Sequence, residues 1–155
     1  MNFNGGKVGG YVGSDMYRVG LEQARLTVRR LFNDRILPIH RNLCNSVNAD
    51  GYANGFAWYK REVDLLSEAM VYGLNPWAAS ALGRGGGYNI GAEWRQLALF
   101  ALGQPLQEEG VSLNNFKFWL RDVTLASFSV ANGNGIVDCV GASEYQGVLP
   151  VFTIY

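Results

Sequence analysis

Few side chains in this 155-residue chain could do covalent chemistry, and their spacing limits what each could do. His40 is the single histidine, so any Ser–His or Cys–His nucleophile pair would have to use it. Nothing local identifies a nucleophile partner for it, and a lone histidine is more often structural. Cys44 and Cys139 are far apart and offer no disulfide framework, so both are expected as reduced thiols. No His/Cys cluster has the spacing of zinc ligands. Asp64 and Glu68, four apart, would share one face of a helix, and Glu108 and Glu109 are adjacent. Paired carboxylates can serve as acid and base, but pairs at these spacings are equally common on solvated surfaces. The run Gly83-Arg84-Gly85-Gly86-Gly87-Tyr88-Asn89-Ile90-Gly91 lacks the following Lys-Ser/Thr of a phosphate loop and reads as a surface loop. These residues predict no enzyme, no metal and no cofactor.

The elements that carry them begin with a helix. Ser14 or Asp15 can cap it, an apolar stripe runs through Leu21, Ala24, Val28 and Leu31, and Arg25, Arg29 and Arg30 lie largely off that stripe as a solvated basic face. The helix has ended by Pro38. Ile39 to Val47 fits either a strand or a short helix, and Gly51-Tyr52-Ala53-Asn54-Gly55 marks a turn. A strand-like run leads to Leu65-Leu66, and Ser67-Glu68-Ala69 starts a short helical turn. A second helix is expected over Ala92 to Leu102, with Trp94, Leu97, Ala98 and Ala101 at helical spacing and Gly103-Gln104-Pro105 as its stop.

Composition bounds the rest. At 48% hydrophobic, one domain over 1–155 can bury a core without staples. The formal net charge is zero and Lys and Arg do not cluster beyond Arg25, Arg29 and Arg30; nucleic-acid binding, which needs phosphate neutralisation, is not expected. No run reaches membrane-spanning length, so no membrane insertion is expected. The segment Met1–Lys7 lacks the apolar stretch of a secretion signal. Aromatics at 13% and 20 glycines suit turn-rich β structure.

The C-terminal third is the most informative. Phe116, Phe118 and Leu120 alternate with Lys117, Trp119 and Arg121, the period of a half-buried strand. From Val130 to Val140 two Asn-Gly steps, Asn132-Gly133 and Asn134-Gly135, separate β-prone runs and predict a hairpin. Val148 to Tyr155 reads as a last strand, with Pro150 at an edge or bulge. Between Val123 and Gln146 there is no Lys or Arg. A solvated hairpin usually carries charge against edge-to-edge pairing, so a surface this neutral is expected to be covered.

Trp119-Leu120-Arg121-Asp122, the Asn-Gly hairpin, Gly141-Ala142-Ser143 and Gly147-Val148-Leu149-Pro150-Val151-Phe152 together resemble the C-terminus of the variable proteins of diversity-generating retroelements and related phage tail modules. Gly9-Gly10-Tyr11-Val12-Gly13-Ser14-Asp15-Met16 and Val63 to Gly73 are similar to the front half of the same modules. The resemblance implies an α+β, C-type-lectin-like fold of two helices with a twisted, mostly antiparallel, turn-rich sheet. It implies a virion protein of the phage tail, or else a bacterial surface protein, that binds a host cell-surface protein or glycan. It also implies a homo-oligomer, for which a trimer matches the habit of tail fibres. In such proteins selected codons near the C-terminus are rewritten at adenines. The ligand-binding residues implied here are Val123, Leu125, Phe128, Val130, Ile136, Asp138, Cys139, Val140 and Tyr145, all accessible from Asn codons, with Asn132 and Asn134 as unaltered template positions. Glu144 and Gln146 fall outside that accessible set, and Leu149 stands where the family often has Arg. The calcium-dependent sugar motifs of C-type lectins do not carry over: Gln104-Pro105 is followed by Leu106, and Trp119 by Leu120.

Two other readings stand beside this one. Phe128, Val130 and Ile136 fit ordinary sheet core, and the neutral hairpin would then belong to a structural virion module packed on a neighbouring subunit. An enzyme related to formylglycine-generating oxidases would share the fold, but its chemistry needs a cysteine pair holding copper.

Overall fold

The computed structural model describes residues 9–47, 53–73, 96–101, 107–108, 111–112, 116–123, 127–132 and 137–155. The chain enters through Gly9 and Gly10 at φ +88° and +58°, angles that penalise any residue with a Cβ. Glycine at position 10 also permits close approach: a Cβ there would stand 2.8 Å from the Cys44 sulfur on strand β2 (Ile39–Val47). The Ser14 hydroxyl donates to the Tyr11 carbonyl at 2.6 Å and accepts from the Tyr17 N–H at 3.2 Å. Ser14, not Asp15, therefore caps the π-turn Met16–Gly20 that runs into α1 (Leu21–Phe32).

Leu21 and Val28 of the expected stripe are buried and Ala24 packs on the core, but Leu31 is 71% exposed. Helical geometry accounts for this correction. At 3.6 residues per turn Leu31 lies about 80° around the axis from Leu21, whereas Phe32 lies only about 20° away. Phe32 takes the inward position and packs on Phe152 with ring centroids 5.3 Å apart. Two arginines of the basic face are ion-paired: Arg25 bridges Glu22 at 2.6 Å and Glu62 at 3.2 Å, and Arg29 also pairs with Glu62.

After a 3₁₀ turn (Asn33–Arg35), β1 (Ile36–Leu37) pairs with β10 (Pro150–Ile154), which also pairs with β4 (Val63–Leu65); all three run antiparallel in the order β1-β10-β4. Pro150 is the first residue of its strand, where a missing N–H costs least. Ile39–Val47 is a strand, settled by its antiparallel partner β3 (Ala53–Arg61). The short helix α2 (Glu68–Tyr72) starts where expected, because the Ser67 side chain accepts the Met70 N–H at 3.2 Å. It ends at Gly73, whose φ of +74° closes the last turn. Within the expected second helix, α3 (Ala98–Ala101) is described; residues 92–95 and 102, like the glycine-rich run 83–91, lie outside the described residues. A two-residue pair, β5 (Gln107–Glu108) with β6 (Val111–Ser112), precedes the final sheet.

That sheet is β7 (Lys117–Val123), β8 (Phe128–Asn132) and β9 (Val137–Val140), antiparallel in sequence order. β8 and β9 form the predicted hairpin, with residues 133–136 of its turn outside the described residues. Strand β7 is not half-buried, as its alternation predicts; every residue from Phe118 to Val123 is buried. Alternate side chains point to opposite faces of a strand, and here each face meets a core. Trp119, Val123, Phe128 and Val130 join Tyr11, Met16, Leu21, Leu43 and Leu65 on one side. Phe118, Leu120 and Ala131 join Leu66, Met70 and Val71 on the other. The fold is α+β with antiparallel sheets.

Candidate functional site

Asp64 lies on β4 and Glu68 on α2, so the two carboxylates do not share a helical face, and both are buried. Asp64 Oδ1 accepts from the Tyr11 hydroxyl at 2.6 Å and from the Leu65 N–H at 2.9 Å. Its Oδ2 accepts from Arg121 Nη1 at 2.6 Å and faces Arg41 Nε at 3.4 Å. One strand over, Asp122 Oδ2 accepts the Glu68 N–H at 2.6 Å, and Ser129 donates to the Glu68 carboxylate. The Arg121 N–H donates to the Leu66 carbonyl at 2.9 Å. These bonds tie the entry loop, β4, α2, β7 and β8 into one buried unit. Carboxylates so engaged by protein donors hold elements together. Charges buried without partners would be costly, and the pairing of Asp64 with Arg121 offsets that cost. The network escaped sequence reading because Asp64 and Arg121 are 57 positions apart. Its one local signal is Arg121-Asp122 set between Leu120 and Val123 in an otherwise apolar strand.

Burial, reinforced by the Asp64 charge, pushes the Tyr11 hydroxyl well above its ordinary pKa of 10.0. Burial also raises Tyr17, and burial with the Glu68 charge raises Tyr72. In the unfolded chain these hydroxyls ionise near the ordinary value. Their contribution to stability is complete below pH 10.0 and is lost as pH rises toward the raised folded values. Thermal melting followed from about pH 8 to about pH 11 should show a fall setting in near pH 10. Tyr11→Phe should lower the melting temperature at neutral pH but flatten that alkaline fall.

The other chemically capable groups are scattered. His40 is exposed on β2, opposite Lys60 in register. Cys44 is buried, with its thiol donating to the Ser46 carbonyl at 2.8 Å, and Cys139 is half-buried on β9. Among the described residues no three His, Cys, Asp or Glu side chains gather to hold a metal. A cleft of about 370 Å³ opens between α1 and the β3–β4 corner, lined by Leu21, Pro38 and Val63 and by Glu22, Arg25, Lys60, Arg61 and Glu62. Arg25 there pairs with both Glu22 and Glu62, and Arg61 lies 4.1 Å over the Tyr17 ring.

The residues implied as ligand contacts divide sharply. Val123 on β7 and Phe128 and Val130 on the central strand β8 are each 1% exposed and belong to the first core. Asp138, Cys139 and Val140 are half-buried on β9, the outer strand of that sheet among the described residues, and Val140 leans on the core. Tyr145 is 79% exposed. Asn132 pairs with Lys117 in the ladder, and Leu125, Asn134 and Ile136 lie outside the described residues. The structure brings Asp138 to Lys117, whose ammonium lies 3.5 Å from its carboxylate.

The loop from Gly141 to Gly147 carries Tyr145 outward from a firm base. The Glu144 N–H donates to the Gly141 carbonyl at 3.0 Å, the Gly147 N–H to the Lys117 carbonyl at 2.8 Å, and the Trp119 N–H to the Gly147 carbonyl at 3.0 Å. Gly147 is required by contact: a Cβ there would lie 1.9 Å from the Phe116 ring. Leu149 packs on the second core, where the apolar residue suits its surroundings. The exposed candidate site is therefore the outer strand β9 with the loop 141–146. No helix among the described residues is long and apolar enough to cross a membrane. No protein family, curated protein or solved structure matches the chain.

Proposed function

We propose that the chain is a receptor-binding display module, a buried frame that holds a short C-terminal face toward a host-surface protein or glycan, in keeping with the resemblance to phage tail modules. One observation carries this reading. Within the C-terminal third, Trp119 to Asp122 are almost wholly buried and bonded to distant elements, while Glu144 and Tyr145, on a loop stitched to the same strand, face solvent. Such a division lets exposed side chains change without disturbing the elements that hold them. A small contact face gives modest affinity per site, and several copies on one fibre would raise avidity without new contacts.

The test is binding of fluorescently labelled protein to intact bacterial cells, with melting temperature and oligomeric state measured on the same samples. Tyr145→Ala together with Asp138→Ala should lower cell binding at least about tenfold while melting and assembly stay unchanged. Unchanged cell binding would overturn the proposal, and loss of assembly would support the structural virion module instead. A tight copper site on titration would favour the oxidase relationship.

A further inference from the structure

We propose that the cleft between α1 and the β3–β4 corner, together with the exposed Trp58 beside it, binds a pyranose sugar bearing one carboxylate. The site uses no residue of the C-terminal face and goes beyond the display reading. Strand register brings its parts together. Across the β2–β3 ladder Asn42 pairs with Trp58 and His40 with Lys60. Side chains alternate along a strand and cross-strand partners share a face, so these four stand on one face of the ribbon. The other face turns inward: Leu43 is buried, Tyr59 packs on the first core and Arg41 faces Asp64. On the outward side Trp58 is 63% exposed, and His40 and Lys60 are exposed with it. Lys60 also lines the cleft of about 370 Å³, so indole and cleft adjoin. Small-molecule sites span about 300–1,000 Å³, and the lower end of that range suits a single sugar ring.

Charge and unmet hydrogen bonds select the ligand class. Most charges lining the cleft are already engaged. Arg25 holds Glu22 and Glu62, Arg29 also holds Glu62, and Arg61 lies over the Tyr17 ring with its Nη2 donating to the Tyr17 carbonyl at 3.2 Å. The Lys60 ammonium has no partner among the described residues. One free cation beside an apolar floor of Leu21, Pro38 and Val63 calls for one negative charge. The neighbouring polar groups call for hydroxyls. The carboxamide oxygen of Asn42 is buried with no hydrogen-bond partner, a costly state, and a turn of the amide toward a ligand hydroxyl would relieve it. A flat aromatic acid would cover the indole but leave Asn42 and His40 unmet, a neutral sugar would leave Lys60 unmet, and a nucleotide would bring surplus charge. An acidic pyranose meets all of them, with its C–H face on the Trp58 ring, its hydroxyls toward His40 and Asn42, and its carboxylate on Lys60.

Methyl glucuronide and methyl glucoside differ only in the carboxylate and make the test, read by the indole N–H resonance of Trp58 in heteronuclear NMR of the full chain. The glucuronide should shift it with a Kd of about 1 mM, and the glucoside should bind at least about tenfold more weakly. Lys60→Met should abolish that preference, and Trp58→Ala should remove binding of both sugars as seen by isothermal titration, with melting unchanged; Trp58→Leu serves if the alanine variant folds poorly. The protein carrying Tyr145→Ala and Asp138→Ala should titrate like the wild type, which separates this site from the C-terminal face. No shift with the glucuronide or with methyl N-acetylneuraminide up to about 20 mM, equal binding of glucuronide and glucoside, benzoate binding as tightly as the glucuronide, binding indifferent to both Trp58 substitutions, or loss of binding in the Tyr145 and Asp138 variant would each overturn the proposal.

Discussion

An Asp64→Ala variant should lose about 3–5 kcal/mol of folding stability, the cost of stranding a buried charge, against a total of about 5–15 kcal/mol for a domain. Asp64 and Arg121 are 2% and 3% exposed, and Arg121 Nη1 lies 2.6 Å from Asp64 Oδ2. Removing the carboxylate leaves the guanidinium buried, deprives the Tyr11 hydroxyl of its acceptor and takes a bond from the Leu65 N–H. Arg121→Ala should be comparably harmful. The double variant Asp64→Leu with Arg121→Met should recover much of the loss, because an apolar pair of similar volume needs no compensating charge. Urea unfolding of the wild type, Asp64→Leu, Arg121→Met and the double variant, analysed as a double-mutant cycle, checks this. Additive losses would mean that the two side chains do not work as a pair.

Phe128→Asp should abolish folding, while Tyr145→Asp should change stability by no more than about 0.5 kcal/mol. Both positions fit the same accessible residue set, and both were implied as ligand contacts, yet they stand at 1% and 79% exposure. Phe128 packs edge-to-face on Trp119 with centroids 6.3 Å apart. Loss of such a ring costs about 3–5 kcal/mol, and a carboxylate left in its place adds the cost of an unpaired buried charge. Soluble yield and thermal melting separate the outcomes. A folded Phe128→Asp protein would mean that β8 is not the central buried strand.

The legible parts of this fold are those whose local chemistry has one solution. Ser67 before Glu68 predicts the start of α2, and the two Asn-Gly steps predict that the strands around them pair. Ile39–Val47 was ambiguous because its strand character comes from β3, a partner that no local pattern shows. The alternation from Phe116 to Arg121 reads as one buried and one wet face, since Lys117 and Arg121 look solvated. Arg121 is instead buried by Asp64, and Trp119 points into the first core while Phe118 and Leu120 fill the second. The candidate site was legible only in outline. Apolar side chains of the same kind lie in the core at Phe128 and Val130 and near the surface at Val140, and residue type alone does not sort them.

The division between frame and face is tested most directly by sequencing the DNA around this gene for a near-copy of the codons for Trp119 to Tyr155 beside a reverse-transcriptase reading frame. The display reading predicts such a copy, differing at its adenines, with the differences falling at exposed or half-exposed positions such as Asp138 and Tyr145 and sparing the buried Trp119, Phe128 and Val130. Absence of any copy, or differences concentrated at the buried codons, would contradict it.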